Sequence, residues 1–372
     1  MAHIHGGDIY RNQVVLDYSA NINPLGMPKK VIEAICDTIG SAIHYPDIEC
    51  TKLRQAIESK DGIPMEHIIC GNGAAELIFS ICLANKPRKA LLIAPTFAEY
   101  EQALKSVDCN VEYYLLKEEN EFRVMEDYLS FINDDIDMIF ICNPNNPVGN
   151  LIEKDLLNHI ACECKMKNIT LIIDECFMDF IQEPSMYSMK EFLYKYPNMF
   201  ILKAFTKFFG MPGIRLGYGF TYDTKLLKKM KEVTQPWSVS TIAQTAGTVS
   251  CYEYDYMMNT KRLIVEERNY LMEELKKGLV HTVYDSRSNF IFFKSNEFNL
   301  GESTKGESTD GESTIGGDLS DELKKRGICI RDCSNYIGLT KGYYRIAVKN
   351  HEDNVKLINE WRNIIENNLY KT

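Results

Sequence analysis

Ile201-Leu-Lys-Ala-Phe-Thr-Lys-Phe-Phe-Gly-Met-Pro-Gly-Ile-Arg-Leu-Gly-Tyr218 is the stretch around which the 372-residue chain is organised. It leaves an apolar run, Met199 to Leu202, and enters a turn that carries Thr206 and Lys207, then Gly210, Pro212 and Gly213, then Arg215. A short apolar run closed by turn residues reads as a strand covered on both faces. A hydroxyl, an amine and a guanidinium in one glycine-rich turn suit a phosphate together with a carbonyl carbon that an amine can attack. Taken singly, Lys207 would be an ordinary solvated lysine and Arg215 half of a surface ion pair. The neighbouring turns decide between these readings.

Working outward, the strand-then-turn pattern repeats. Ile68 to Cys70 precedes Gly71-Asn-Gly-Ala-Ala-Glu76, and Ala90 to Ala94 precedes Pro95-Thr-Phe-Ala-Glu-Tyr100. Val111 to Leu115 is a further strand. Met138 to Cys142 precedes Asn143-Pro-Asn-Asn-Pro-Val-Gly149, and Thr170 to Ile173 ends on Asp174. Helical segments follow several of these turns, one of them near Glu153 to Lys167. The alternation predicts an α/β fold with a mostly parallel sheet flanked by helices. In such a sheet the turns after the carboxyl ends of the strands gather along one edge, where ligands bind. Gly73, Phe97, Asn146, Asp174 and Lys207 are therefore expected to converge.

Each turn by itself leaves alternatives open. Gly71 to Glu76 opens a helix after a strand, which favours a bound phosphate or serves only as a tight structural turn. No Gly-Lys-Ser/Thr follows it, and it lacks the third glycine of a dinucleotide fingerprint. Asp174 ends a buried strand and needs a cation or donors opposite it; a protonated pyridine nitrogen, a buried arginine or helix amides would all serve. Phe97 suits a stacking face or the core. Asn146, between Pro144 and Pro147, suits a ring hydroxyl or turn backbone.

The flanking regions read differently. His5-Gly-Gly-Asp8 is a polar arm, Val14 to Leu16 a short strand, and Ser19-Ala-Asn-Ile-Asn-Pro-Leu-Gly26 a turn-rich segment. Helices are expected after Pro28 and over Thr51 to Ser59. Past residue 250 come a helix from Asn259 to Lys277, a strand from Asn289 to Lys294, and Gly301-Glu-Ser-Thr-Lys-Gly-Glu-Ser-Thr-Asp-Gly-Glu-Ser-Thr314. That repetitive stretch has no apolar residue to bury and reads as a disordered loop insertion. A helix (Leu319 to Arg326), strands at Ile328 to Arg331 and Tyr343 to Val348, and a helix from Glu352 to Asn367 complete a smaller α+β lobe. The expected division is an arm and part of the small domain over 1–44, a large domain over 45–255, and a small domain over 256–372 with the low-complexity loop at 301–317.

Composition narrows the function. Hydrophobic content of 45% and charged content of 25% are those of a soluble globular protein. A net charge of −10 argues against a phosphate-backbone binder. No signal segment and no membrane-length apolar run is evident, so a cytoplasmic enzyme without nucleic-acid or membrane partners is expected. The twelve cysteines are scattered through apolar runs and read as buried thiols, with neither disulfide framework nor metal spacing.

Together these segments resemble the aspartate-aminotransferase-like, fold type I enzymes that use pyridoxal 5'-phosphate, nearly end to end. The resemblance implies that Lys207 carries the cofactor as a Schiff base and that Asp174 pairs with the pyridine nitrogen. Asn146 would bond the ring hydroxyl, and Phe97 would stack on the ring. Gly73, Ala74, Thr206 and Arg215 would hold the cofactor phosphate, joined by Tyr45 from the partner subunit of a homodimer with shared sites. Arg345, in Tyr343-Tyr-Arg-Ile-Ala347, would clamp the substrate carboxylate. Two departures stand out: Phe177 occupies a position where many members have tyrosine, and Ala204 one where many have serine. Two branches are most similar, the histidinol-phosphate aminotransferases and the threonine-phosphate decarboxylases. The arm at His5, the Ser19 to Gly26 segment, Asp174-Glu-Cys-Phe-Met-Asp-Phe180, Gln235-Pro-Trp-Ser-Val239 and Ile330-Arg-Asp-Cys-Ser-Asn335 look more like the decarboxylases. That branch implies a phosphorylated amino acid as substrate, held by His5, Gly6, Gly7, Asn21, Asn146, Arg331 and Arg345.

Overall fold

The computed structural model describes residues 6–10, 14–295 and 318–369, with side chains to residue 366. His5 and the Gly-Glu-Ser-Thr stretch, with its expected disorder, lie outside the described residues. A two-residue strand, β1 (Leu16–Asp17), comes first. Seven strands then build the main sheet: β2 (Ile68–Gly71), β3 (Lys89–Ala94), β4 (Asn110–Leu115), β5 (Met138–Cys142), β6 (Thr170–Asp174), β7 (Met199–Ala204) and β8 (Gly217–Phe220). Their order is β2-β8-β7-β6-β5-β3-β4. β8 runs antiparallel to both neighbours, and the other pairs are parallel. The expected mostly parallel α/β sheet is therefore present.

The inner strands are apolar throughout because both faces are covered. Successive side chains alternate between two cores. Leu171 and Ile173 of β6 enter one core with Met199 and Ile201 of β7. Ile172 enters the other with Phe200 and Leu202. Helices α1 (Lys29–Thr38) and α2 (Thr51–Asp61) precede the sheet. On the second core's face lie α3 (Ala74–Asn85) and α4 (Glu99–Lys105), which supply Leu77, Ile81, Tyr100 and Leu104. On the opposite face α5 (Lys154–Met166) supplies Leu157 and Ile160. Parity places Asp174 on the same face as Ile172, toward α3 and α4, at the carboxyl end of its strand.

Three features correct the sequence reading. β8 is a strand, although its Gly-Tyr-Gly-Phe sequence continues the glycine-rich turn. Glycine weakens the strand signal, yet here it is sterically required. A Cβ on Gly217 would lie 2.3 Å from the Ala74 backbone nitrogen, and one on Gly219 2.2 Å from the Phe200 ring. Next, α6 (Thr224–Val233) and α7 (Thr241–Ser250) were not anticipated, and α8 (Tyr254–Lys276) begins earlier than expected. Finally, the single strand expected from Ile328 to Arg331 is two. After β9 (Thr282–Val283), β10 (Phe290–Lys294) and α9 (Leu319–Lys324), β11 (Ile328–Cys329) pairs in parallel with β1. β12 (Arg331–Asp332) instead pairs antiparallel with β13 (Tyr343–Ala347), in a second sheet of order β12-β13-β10-β9. A final helix, α10 (His351–Leu369), packs against α8.

The amino-terminal segment is tied to β13 and α10. Ala347 N–H donates to the Tyr18 carbonyl at 2.8 Å, and the Tyr18 hydroxyl donates to Asn354 Oδ1 at 3.0 Å. Gly217→Ala should cost about 1–3 kcal/mol by chemical denaturation, because the obstructing atoms are backbone and cannot yield. Gly40→Ala, with open space at its Cβ, should stay within about 0.5 kcal/mol of the wild type.

Candidate active site

The Lys207 turn is held from outside its own sequence. Asn23 N–H donates to the Lys207 carbonyl at 3.1 Å. Asn23 Nδ2 donates to the Phe208 carbonyl at 2.6 Å and to Thr260 Oγ1 at 2.8 Å. Tyr256 reaches the Gly26 carbonyl at 2.6 Å. Gly210, at φ +62°, lets the Gly26 backbone approach, since a Cβ there would stand 2.5 Å from the Gly26 carbonyl carbon. Phe205, Phe208 and Phe209 anchor the loop in the core. The backbone is pinned, and the half-buried Lys207 side chain opens onto a cavity of about 340 Å³.

The cavity forms where the carboxyl ends of the main-sheet strands meet the amino-terminal segment and the β12–β13 edge. Its wall includes Gly6, Asn21, Ala74, Phe97, Asn146, Asp174, Thr206, Lys207, Arg215, Arg331 and Arg345, together with Phe177 and Ala204. Other candidates stand apart from this wall. Gly73 lies under Arg215, and a Cβ there would fall 2.4 Å from its Nη2. Gly7 lines a neighbouring cavity that shares Gly6, Ser19 and Arg331. Tyr45 is exposed and stacks on Trp237 at 4.5 Å between centroids.

The electrostatics are unbalanced. Burial pushes the Lys207 amine down to about 8, helped by the guanidinium groups of Arg345 and Arg215 and opposed by Cys176 and Glu99. Burial raises the Asp174 carboxyl above its ordinary range, while hydrogen bonds from Cys176 and Tyr100 pull it back. Arg345 donates through Nη2 to the Ser19 carbonyl at 2.8 Å and through Nη1 to Asn146 Oδ1. A guanidinium only donates, so the Asn146 oxygen must face Arg345 and its amide nitrogen remains as a donor. Arg345 Nε and Asn21 Oδ1 are buried without partners. Arg331 donates to the Asp332 carbonyl at 2.6 Å and to Asn335 Oδ1 at 2.8 Å, over the ring of Tyr336. In register, Arg331 and Arg345 face each other across β12 and β13. Among the described residues neither makes a salt bridge, and both are buried.

Several positioning residues escaped the sequence reading. Asn145 accepts from Thr96 Oγ1 at 3.1 Å and donates to the Pro95 carbonyl at 3.0 Å, tying the turns after β3 and β5 together. Asn23 sat in a quoted turn, but nothing in its sequence showed that it caps the Lys207 loop. Tyr100 closed the Phe97 turn in the sequence and was assigned no role there.

Residues 13–359 match the family described as Aminotransferase class I and II. The chain belongs to the class I and II aminotransferase family. It is 34% identical over 369 residues to the threonine-phosphate decarboxylase of Salmonella typhimurium, covering 97% of this chain and 96% of that one. It is 32% identical over 360 residues to the adenosylcobalamin biosynthesis bifunctional protein CobDQ of Leptospira interrogans, covering 94% of this chain and 39% of that protein. Among solved structures, the histidinol-phosphate aminotransferase from Clostridium acetobutylicum superposes with a TM-score of 0.84 at 34% identity, over 95% of this chain and all of that one. As a member of this class I and II aminotransferase family, the enzyme uses pyridoxal 5'-phosphate. Among the described residues, no helix is long and apolar enough to cross a membrane.

A lysine neutral near pH 8 attacks aldehydes far below the usual lysine range. In cofactor-free protein, the rate at which Lys207 is captured by a small aldehyde and trapped by borohydride should rise with pH with a midpoint near 8. Arg345→Met removes one of the charges that depress the amine and should move that midpoint upward, as read by peptide mass mapping across a pH series.

Proposed function

We propose that this chain decarboxylates L-threonine O-3-phosphate to (R)-1-aminopropan-2-yl phosphate in cobalamin biosynthesis, with Lys207 and Asp174 as its catalytic pair. The single observation that carries this reading is the Arg331–Arg345 register. Two guanidiniums directly opposite each other repel, and no acidic side chain among the described residues neutralises them. They suit a ligand with two anionic groups. Threonine phosphate brings a carboxylate and a phosphate, whereas histidinol phosphate brings only the phosphate. The decarboxylase and cobalamin-biosynthesis relatives support the same branch.

The donor set fits the cofactor. An anion seat lies where Arg215 crosses Gly73, beside Ala74 at the start of α3 and Thr206. Asp174 offers a carboxylate to a protonated ring nitrogen, the free amide of Asn146 offers a donor to a ring hydroxyl, and Phe97 offers a face for stacking. Phe177 has no hydroxyl to add; its ring meets Phe290 edge-on at 5.1 Å. When bound, the cofactor supplies an electron sink conjugated to the substrate's amine-bearing carbon.

The chain's own residues do the rest. Arg345 holds the substrate carboxylate, and Arg331, with the arm at His5, Gly6 and Gly7, holds the phosphate. Asn21 and Asn146 line the space between them. The bond between the amine-bearing carbon and the carboxylate breaks, carbon dioxide leaves with neither bonding electron, and the Lys207 ammonium returns a proton to that carbon. With an amine poised near pH 8, Lys207 carries that proton at neutral pH.

We place the protein in the cytoplasm as a homodimer. Ile39, Ile43, Tyr45 and Ile48 are exposed on one stretch beside Trp237, which suits burial against a second copy. Tyr45 would then reach the partner's phosphate seat.

The test is direct. Purified enzyme with O-phosphothreonine should release carbon dioxide and aminopropanol phosphate without an oxo acid. Product that requires an oxo acid, with no carbon dioxide, would establish the histidinol-phosphate aminotransferase alternative favoured by the Clostridium fold match. Lys207→Ala should abolish turnover. Arg331→Gln should raise KM for phosphothreonine roughly 10-fold or more, as loss of a charge-assisted contact requires.

A further inference from the structure

Tyr100 is the second residue of α4 and is fully buried in the cavity wall. Its ring stacks on Phe140 at 5.0 Å and meets the edge of Phe97 at 5.5 Å. Its hydroxyl donates to Asp174 Oδ2 at 2.5 Å. On the other side, Cys176 N–H donates to Asp174 Oδ1 at 2.9 Å. These two donors hold one oxygen each and fix the plane of the carboxylate, and the Cys176 thiol adds a further hydrogen bond.

The charge follows from the same contacts. Asp174 has no ionic partner among the described residues, and burial alone would favour its neutral form. The titratable groups packed against it are Tyr100 from α4, Cys142 at the end of β5 and Cys176 just past β6. Burial and the Asp174 charge hold the Tyr100 phenol well above its usual range, and burial does the same for both thiols. Tyr100 is therefore a proton donor throughout the working pH range and never competes for the carboxylate as an anion. The Cys142 thiol is engaged with the Pro144 carbonyl at 3.2 Å. The phenol is then the one side-chain hydroxyl bonded to this carboxylate among the described residues.

We propose that Tyr100 is the positioning residue for Asp174: its phenol aims the carboxylate at the cofactor's ring nitrogen and holds it in the charged form, and so sets how tightly the protonated ring is held. This rests on the reading that Asp174 faces that nitrogen. The Tyr100 hydroxyl is committed to Asp174, and the role assigned to it runs through that carboxylate.

The experiment uses Tyr100→Phe, Asp174→Asn and the double variant in cofactor-free form. Tyr100→Phe keeps the ring and its stacking and removes only the hydroxyl. Two quantities are measured: the Kd for pyridoxal 5'-phosphate, by absorbance titration, and the pH midpoint of the Asp174 carboxyl, from the infrared band that Asp174→Asn deletes. Tyr100→Phe should weaken cofactor binding about 10-fold, the scale of one hydrogen bond to a charged group. It should also raise the Asp174 midpoint by about one pH unit. The double variant should bind no more weakly than Asp174→Asn alone. Wild-type affinity in Tyr100→Phe beside a large loss in Asp174→Asn, an additive double variant, or an unmoved midpoint each overturns the proposal while leaving the Asp174 reading intact. Unchanged affinity in Asp174→Asn overturns both. A fluorinated tyrosine at position 100, a stronger donor of the same shape, should lower the midpoint and tighten binding. No change there would count equally against the proposal, even if Tyr100→Phe were to fold poorly.

Discussion

Opposite charges that do not neutralise one another are what this structure is built to hold. Lys207, Arg215, Arg331 and Arg345 share one cavity with Asp174, and among the described residues none of the five makes a salt bridge. One buried cluster elsewhere is paired: Lys203 bonds Asp179 at 2.5 Å, and Lys60 lies near Asp61 and Asp179. That paired cluster includes Lys203, four residues before Lys207 on the same strand-and-turn. The contrast shows that the chain can satisfy buried lysines when a site is structural. Leaving the buried charges of the cavity apart raises the free energy of the ligand-free protein.

Holding unpaired charge in place requires that nothing nearby can relax toward it. The surroundings meet this in three ways. Backbone contacts from Asn23 and Gly26 fix the lysine turn. Hydrogen bonds from Asn145 bind the turns after β3 and β5 to each other. The guanidinium of Arg345 is anchored on the Ser19 carbonyl and Asn146, so it cannot swing to Asp174. Each restraint uses a neutral partner. A charged one would have neutralised the group that it holds.

Much of this was legible from residue order. The apolar strands and the glycine, proline and asparagine turns after them announced the sheet and the edge where ligands gather. Thr206, Lys207 and Arg215 stood out because they share one glycine-rich turn after a strand, and Asp174 because a carboxylate ending a buried strand is costly. What could not be read has physical causes. β8 is written in glycines, which are chosen for close approach rather than for strand preference. The split between β11 and β12 turns on one residue, Ile330, and moves Arg331 into register with Arg345; no local pattern encodes a change of sheet. Asn23 bonds a carbonyl far along the chain, and carbonyls carry no sequence signature. Tyr100 looks like any buried aromatic until its hydroxyl is placed against Asp174.

The pairing of β1 with β11 has a consequence for synthesis. Residues 15–18 find their backbone partners at Gly327 and Cys329, Ser19 meets Arg345, and Asn21 accepts from Asn289. On the ribosome these early residues emerge long before their partners exist. The main sheet, whose strands run from 68 to 220, can close first. The Lys207 turn therefore waits, with its loop open on one side, for a segment that was made earlier but can dock only after the last strand has emerged. A nascent chain halted before residue 331 would hold Lys207, Asp174 and Arg215, yet lack Arg331, Arg345 and the strand pairing that sets them opposite each other. The cavity is thus completed only once synthesis has reached Arg345.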